Sequence, residues 1–273
     1  ETIKNIFKIE DLRQRIIYTL GIILLYRFGK YVTLPGIDPS QLGNLSDQTS
    51  QGIMGLLDMF SGGAFSQASV FALGIMPYIS ASIVIQLLGI VFPYFQKLQR
   101  EGESGRRKMN QYTRYLTVAI LMMQGPSYLA NLTNTLPPSA FILTGAFFKV
   151  SSVIILTAGT MFVMWLGEKI TDKGIGNGIS LIIMIGIIAR LPQAFIFEVG
   201  TRINGSGGLV SLLVELVILF AIVLATILLV QGTRRIPVQY ARRIVGNKQY
   251  GGVRQYIPLK VNSAGVMPII FAQ

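Results

Sequence analysis

Acid–base, metal and redox chemistry need side chains that this sequence scarcely has. His and Cys are both absent, which removes the commonest general base and metal ligand and every thiolate site. The chain holds 12 Asp and Glu against 24 Lys and Arg, and no acid–base dyad or nucleophile constellation stands out among them. Three carboxylates, Asp58, Glu198 and Glu215, lie in or beside long apolar runs. Glu215, about two turns into such a run, is the candidate for a carboxylate that couples ion movement. The ordinary reading is a side chain facing the membrane interface. Residues 174–178, GIGNG, offer a glycine-rich turn, but a dinucleotide fingerprint needs G-x-G-x-x-G after a strand, and its third glycine position holds Ile179. The better reading is a tight turn with Asn177 as a helix N-cap. No metal or cofactor site is expected.

Two patterns are physical rather than chemical. Ile75 and Ile79 stand four apart, as do Ile179 and Ile183, so each pair shares a helix face. A collar of branched apolar side chains seals a pore by dewetting, because it offers ions nothing in place of their water. The same spacing also serves lipid contact or core packing, so it decides nothing alone. Residues 231–260 carry Arg234, Arg235, Arg242, Arg243, Lys248, Arg254 and Lys260, with Tyr240, Tyr250 and Tyr256 interspersed. Such a segment binds RNA phosphates, lipid headgroups or an acidic protein, or is simply a solvated basic loop.

The elements that must position these residues are membrane helices. The chain is 51% hydrophobic and 13% charged, with a mean hydropathy of +0.56, where a soluble domain averages about 25% charged. Residues 1–15 read as an amphipathic surface helix. Apolar runs near 16–32, 71–92, 115–132, 148–166, 179–197 and 209–230 read as six spans of about the ~20 residues a bilayer requires. Pro77 is expected to kink the second and Gly125-Pro126 to interrupt the third. Arg27 and Lys30 are expected to snorkel at the end of the first. A long polar loop covers 231–260, and the chain turns apolar again before Gln273.

Lys and Arg number four, six, two and seven in residues 1–15, 93–114, 167–178 and 231–260, leaving only Arg27, Lys30, Lys149, Arg190 and Arg202 on the other side. By the positive-inside rule the N-terminus and the basic segments are cytoplasmic.

One stretch is too short to span. Ile53, Met54, Gly55, Leu56, Leu57, Asp58, Met59 and Phe60 are followed by Ser61, Gly62 and Gly63. An apolar piece hinged by glycine directly before a spanning helix either lies at the interface or folds back into the protein, where other helices shield its backbone.

Longer runs carry a resemblance. Residues 59–88 (MFSGGAFSQASVFALGIMPYISASIVIQLL), 101–115 (EGESGRRKMNQYTRY), 159–180 (GTMFVMWLGEKITDKGIGNGIS) and 258–272 (PLKVNSAGVMPIIFA) are similar to the bacterial SecY family, central subunits of the Sec protein-conducting channel. The resemblance implies an all-α polytopic bundle with a short re-entrant plug helix. Its architecture is an inverted-repeat clamshell of two five-span halves: residues 1–200 as the first half, with the plug at about 53–64, and 201–273 as the start of the second. It implies a hydrophobic pore ring at Ile75, Ile79, Ile179, Ile183 and Ile270, and a plug formed by residues 53–63. It puts Ser80, Gln86 and Gln124 near a lateral gate to lipid. It makes Arg106, Arg107, Lys108, Arg234, Arg235, Arg242, Arg243, Lys248 and Arg254 cytoplasmic docking residues.

The implied partners are the small membrane subunits SecE and SecG, the SecA motor ATPase, the ribosome with its rRNA and proteins, signal peptides and nascent chains, and anionic lipids, with SecDF and YidC as further candidates. The implied location is the bacterial plasma membrane. Since the family has ten spans, a chain reaching only into the seventh is expected to be part of a longer protein. Two other classes remain from the residues alone: an ion-coupled secondary transporter built around Glu215, and a non-conducting insertase or scaffold.

Overall fold

The computed structural model describes residues 9–42, 55, 58–143, 145–204, 208–239, 243–245, 248–250 and 254–262. The chain divides into two compact units, residues 1–194 and 195–273.

The first unit begins with helix α1 (Glu10–Gly29), which places Glu10 and Asp11 in its first turn and Arg27 in its last, as the helix dipole favours. Helix α2 (Met76–Val91) starts later than the apolar run suggests. Pro77 sits in its first turn and does not kink a span, because there its missing N–H is one that no carbonyl awaits. At Phe92 the chain bends by 101° into the short α3 (Pro93–Arg100). Helix α4 (Glu103–Thr135) runs unbroken through Gly125 and Pro126, so the expected interruption is absent. Helix α5 (Ala146–Lys173) follows. Asn177 then caps α6 (Gly178–Ile188), its Oδ1 accepting from the N–H groups of Ile179 and Ser180. Helix α7 (Leu191–Asn204) begins at the end of this unit and lies mostly in the second.

Three stretches, Ala146–Lys173, Gly178–Arg202 and Val210–Gln231, are long and apolar enough to cross a membrane, and α2 with α3 makes a fourth if the bent pair is one span. Helices α1 and α4 fall outside this measure. Each shares its length between an apolar run and a charged one.

Residues 58–75 are the centre of the packing. Residues 58–60 are helical, and from Ser61 the chain turns repeatedly until α2 begins. Two apolar clusters meet on it. One joins Phe65, Ala68 and Ala72 to Leu34, Tyr128, Leu132, Phe148 and Leu156. The other joins Ala64, Phe71 and Ile75 to Tyr26, Val163, Leu166, Ile170 and Ile182. Its backbone is bonded as well. Leu34 N–H donates to Ala68 C=O and Val70 N–H to Val32 C=O, each at 2.9 Å. Gly159 of α5 passes so close that any Cβ there would collide with the Val70 carbonyl. Such a chain inside a helix bundle is stable only because its polar groups find partners within the protein.

In the second unit, α8 (Gly208–Gln231) leads into two antiparallel strand pairs, β1 (Thr233–Gln239) with β4 (Arg254–Lys260) and β2 (Arg243–Val245) with β3 (Lys248–Tyr250). Among the described residues, the stretch expected as a polar loop over 231–260 therefore forms two β-strand pairs. Ile236, Val238, Tyr256 and Ile257 supply strand-forming side chains between the arginines. Pro237, paired with Tyr256, is tolerated because a two-stranded sheet has only edges.

Candidate functional site

The site is the seat of residues 58–66 against α1, α4 and α6. Asp58 is almost fully buried, its side chain 4% exposed, and its Oδ2 lies 2.5 Å from Arg190 Nη2. Its Oδ1 accepts from Ser66 N–H at 2.8 Å, and Arg190 Nη2 also reaches Ser66 Oγ at 3.3 Å. The Asp58 carbonyl accepts from Gly63 N–H at 2.8 Å and Ser61 Oγ at 3.0 Å. One residue thus folds the turn onto itself and ties it to the chain after α6.

Arg27 makes the second tie. Its guanidinium donates to the carbonyls of Gly62, Ile185 and Gly186. It is therefore half-buried across the junction of α1, α6 and the turn, and the expectation of a snorkelling side chain fails there. A guanidinium has five donors, so it bridges carbonyls of the turn and of the last turns of α6, where Ile185 C=O also accepts from Ala189 N–H at 3.0 Å. Tyr128 Oη of α4 adds a bond to Phe65 C=O at 3.0 Å.

Close approach requires glycine at two positions. Gly62 and Gly63 have φ of +67° and +88°, a region costly for other L-residues. A Cβ at Gly62 would stand 2.9 Å from Arg27 Nη1 and 3.1 Å from Gly186 Cα, and one at Gly63 would stand 2.6 Å from Arg190 Nη2 and 2.9 Å from Lys30 Nζ.

Directly beside this turn lies the second apolar cluster. Ile75 is buried in the second cluster, and Ile79, Ile179 and Ile183 pack against the same cluster. Four of the five expected ring residues are brought together, Ile75 from just before α2, Ile79 from α2, and Ile179 and Ile183 from α6. Ile270 lies outside the described residues. Of the expected plug residues, Asp58, Met59, Phe60, Ser61, Gly62 and Gly63 form the turn described above, and Gly55 is helical. Ile53, Met54, Leu56 and Leu57 lie outside the described residues.

The other expected positions are dispersed. Ser80 is partly buried on α2, whereas Gln86 on α2 and Gln124 on α4 are exposed. Arg106, Arg107 and Lys108 occupy the first turns of α4, and Arg107 pairs with Glu103 at 2.7 Å in full solvent. Arg234 and Arg235 are exposed on β1, opposite Leu259 and Pro258. Arg243, Lys248 and Arg254 lie on β2, β3 and β4, and Arg242 is outside the described residues. Glu215 is not a free carboxylate. It binds Arg202 at 2.5 Å, and Arg202 also holds Glu198 at 2.8 Å, which removes the sequence basis for ion coupling.

Sequence reasoning placed Arg27 and Arg190 at span ends and missed their role. The available signal was their violation of the charge asymmetry, since a cation kept on the wrong side needs a reason.

Comparison with known proteins gives a consistent result. The family model SecY matches residues 69–273. Protein translocase subunit SecY of Corynebacterium glutamicum is 47% identical over 274 residues, covering 97% of this chain and 61% of the relative. The Escherichia coli subunit of the same name is 44% identical over 263 residues, covering 96% and 59%. The chain thus spans about three fifths of the length of the curated relatives it matches. Among solved structures, a protein-conducting channel aligns with a TM-score of 0.57 at 18% identity, over 95% of this chain and 55% of that one. A SecY structure concerned with its plug domain aligns at 0.56 and 18% identity, with the same coverage.

Proposed function

The chain belongs to the SecY family, and from that premise we propose that it forms the plug-bearing part of a channel that passes unfolded secretory proteins across the membrane and releases transmembrane segments sideways into lipid. It is a multi-pass membrane protein, and the proposed setting is the bacterial plasma membrane with the N-terminus in the cytoplasm. The observation that carries the reading is the convergence of Ile75, Ile79, Ile179 and Ile183 on one cluster beside the tied-down turn at 58–66.

In this mechanism the isoleucines close the waist. They give way around any passing side chain, since no specific hydrogen bond must be made or broken, yet leave a lone ion without a substitute for its water. Residues 53–63 serve as the plug, and its described part at 58–63 is held by Asp58, Arg27 and Arg190. A signal peptide enters at the lateral gate near Ser80, Gln86 and Gln124, the waist widens, and the turn leaves its seat. Energy comes from a partner: the SecA motor or the ribosome docks on Arg106, Arg107, Lys108 and the basic stretch 231–260 with Arg234, Arg235, Arg242, Arg243, Lys248 and Arg254. SecE and SecG complete the channel, with SecDF and YidC as auxiliary partners. The canine Sec61 ribosome–channel complex, which aligns with a TM-score of 0.52 at 16% identity, is a fold-level parallel for ribosome docking.

Cross-linking tests this directly. In the full-length protein, Ile79→Cys should form a disulfide with a cysteine in a precursor arrested in transit, and Met184→Cys, exposed on α6, should not. Equal yields at both positions would place the path elsewhere.

A further inference from the structure

Of the five cations outside the basic segments, four are engaged within the fold. Arg27 and Arg190 donate to the turn at 62–66, and Arg202 bridges two carboxylates. Lys30 lies beside Gly63 and over the Tyr31 ring at 5.5 Å, without an ion pair among the described residues. Lys149 is the exception: among the described residues no carboxylate, carbonyl or aromatic ring pairs with its ammonium. It stands where two clefts between α4 and α5 meet. The larger, about 540 Å³, is lined by Met122, Pro126, Ala130, Val150 and Ile154 among others. The smaller, about 230 Å³, is lined by Pro138, Phe141 and Phe148 among others. Thr133 and Lys149 line both. Apart from these two, every residue around the larger cleft is apolar, and Met122, Val150 and Ile154 are exposed.

We propose that this groove holds an acyl chain of an anionic phospholipid whose headgroup phosphate is bound by Lys149. An open apolar groove on a membrane helix pair meets either acyl chains or another helix. The cation decides between them, because an apolar helix laid there would leave the ammonium unpaired, whereas a lipid phosphate neutralises it. Lysine suits this task, with an apolar stem along the groove and the charge at its rim. Its position in the first turn of α5 is unfavourable for the helix alone, and a bound anion offsets that. The inference rests on the proposed function only in that α4 and α5 cross a bilayer; it requires no conduction.

The test is a photo-reactive residue in place of Val150 in the full-length protein, in membranes of equal phosphatidylglycerol and phosphatidylcholine. The anionic lipid adduct should exceed the zwitterionic one about fivefold, the effect of one lysine at a headgroup. Lys149→Gln should bring that ratio to about one without changing channel conductance. Ala130→Trp, on the exposed groove floor, should lower both adducts. A ratio of about one in the parent protein, an unchanged ratio in Lys149→Gln, or adducts formed with another protein chain would each overturn the proposal. Loss of the preference on adding inorganic phosphate, with no effect of Ala130→Trp, would mark a free-phosphate site and overturn it equally.

Discussion

Arg190 Nη2 lies 2.5 Å from Asp58 Oδ2, with the carboxylate 4% exposed and the arginine side chain 41% exposed. The asymmetry fixes the energetics. Removing the arginine leaves a buried carboxylate with only the Ser66 N–H and neighbouring cations, whereas removing the carboxylate leaves a guanidinium that water still reaches.

Arg190→Gln should therefore loosen the turn more than Asp58→Asn. Breaking a buried pair costs about 3–5 kcal/mol, and the exposure of Arg190 cuts this to about 1–2 kcal/mol here. A double-mutant cycle, read from the resting ion leak of the full-length protein in vesicles, should show that Asp58→Asn restores part of what Arg190→Gln loses. Strictly additive effects would mean the two residues act separately.

Gly62→Ala adds a Cβ at φ +67° and 2.9 Å from Arg27 Nη1. The backbone term alone is about 1–2 kcal/mol. Protease cleavage of the turn should speed up by about tenfold relative to the parent. Unaltered cleavage would mean the turn is held otherwise than described.

Arg234 and Arg235 are exposed on β1. Converting both to Glu should weaken binding of SecA or ribosomes at low salt and flatten the salt dependence of what remains. Binding unaltered at low salt would remove β1 from the docking surface.

Glu215→Gln should leave precursor translocation unchanged, since Arg202 keeps Glu198, and should cost stability by less than about 1 kcal/mol. A loss of transport that follows the proton gradient would instead revive the ion-coupled reading.

Much of this architecture was legible because bilayer physics writes it plainly. Apolar runs gave helices α5 and α8, while the single run at 179–197 is divided at Ala189 and Arg190 into α6 and α7. The isoleucine spacing gave pairs that do meet in one cluster. Asn177 as N-cap followed from local chemistry. The failures share a cause, which is that tertiary partners override local signals. Pro126 reads as a break, yet α4 passes through it. Residues 231–260 read as loop because Lys and Arg are spread through them, and the Ile, Val and Tyr of the paired strands stand between those charges. Arg27 reads as a surface cation, and only the fold reveals the carbonyls of Gly62, Ile185 and Gly186 that surround it.

The most direct measurement is the resting conductance of the full-length protein in planar bilayers, with Ile79 and Ile183 each replaced by Ser. Both side chains belong to the apolar cluster beside the turn, so a hydroxyl there should wet the waist, and single-channel openings should appear without any precursor. Conductance at the parent level, with the variants folded and still translocating, would contradict the account.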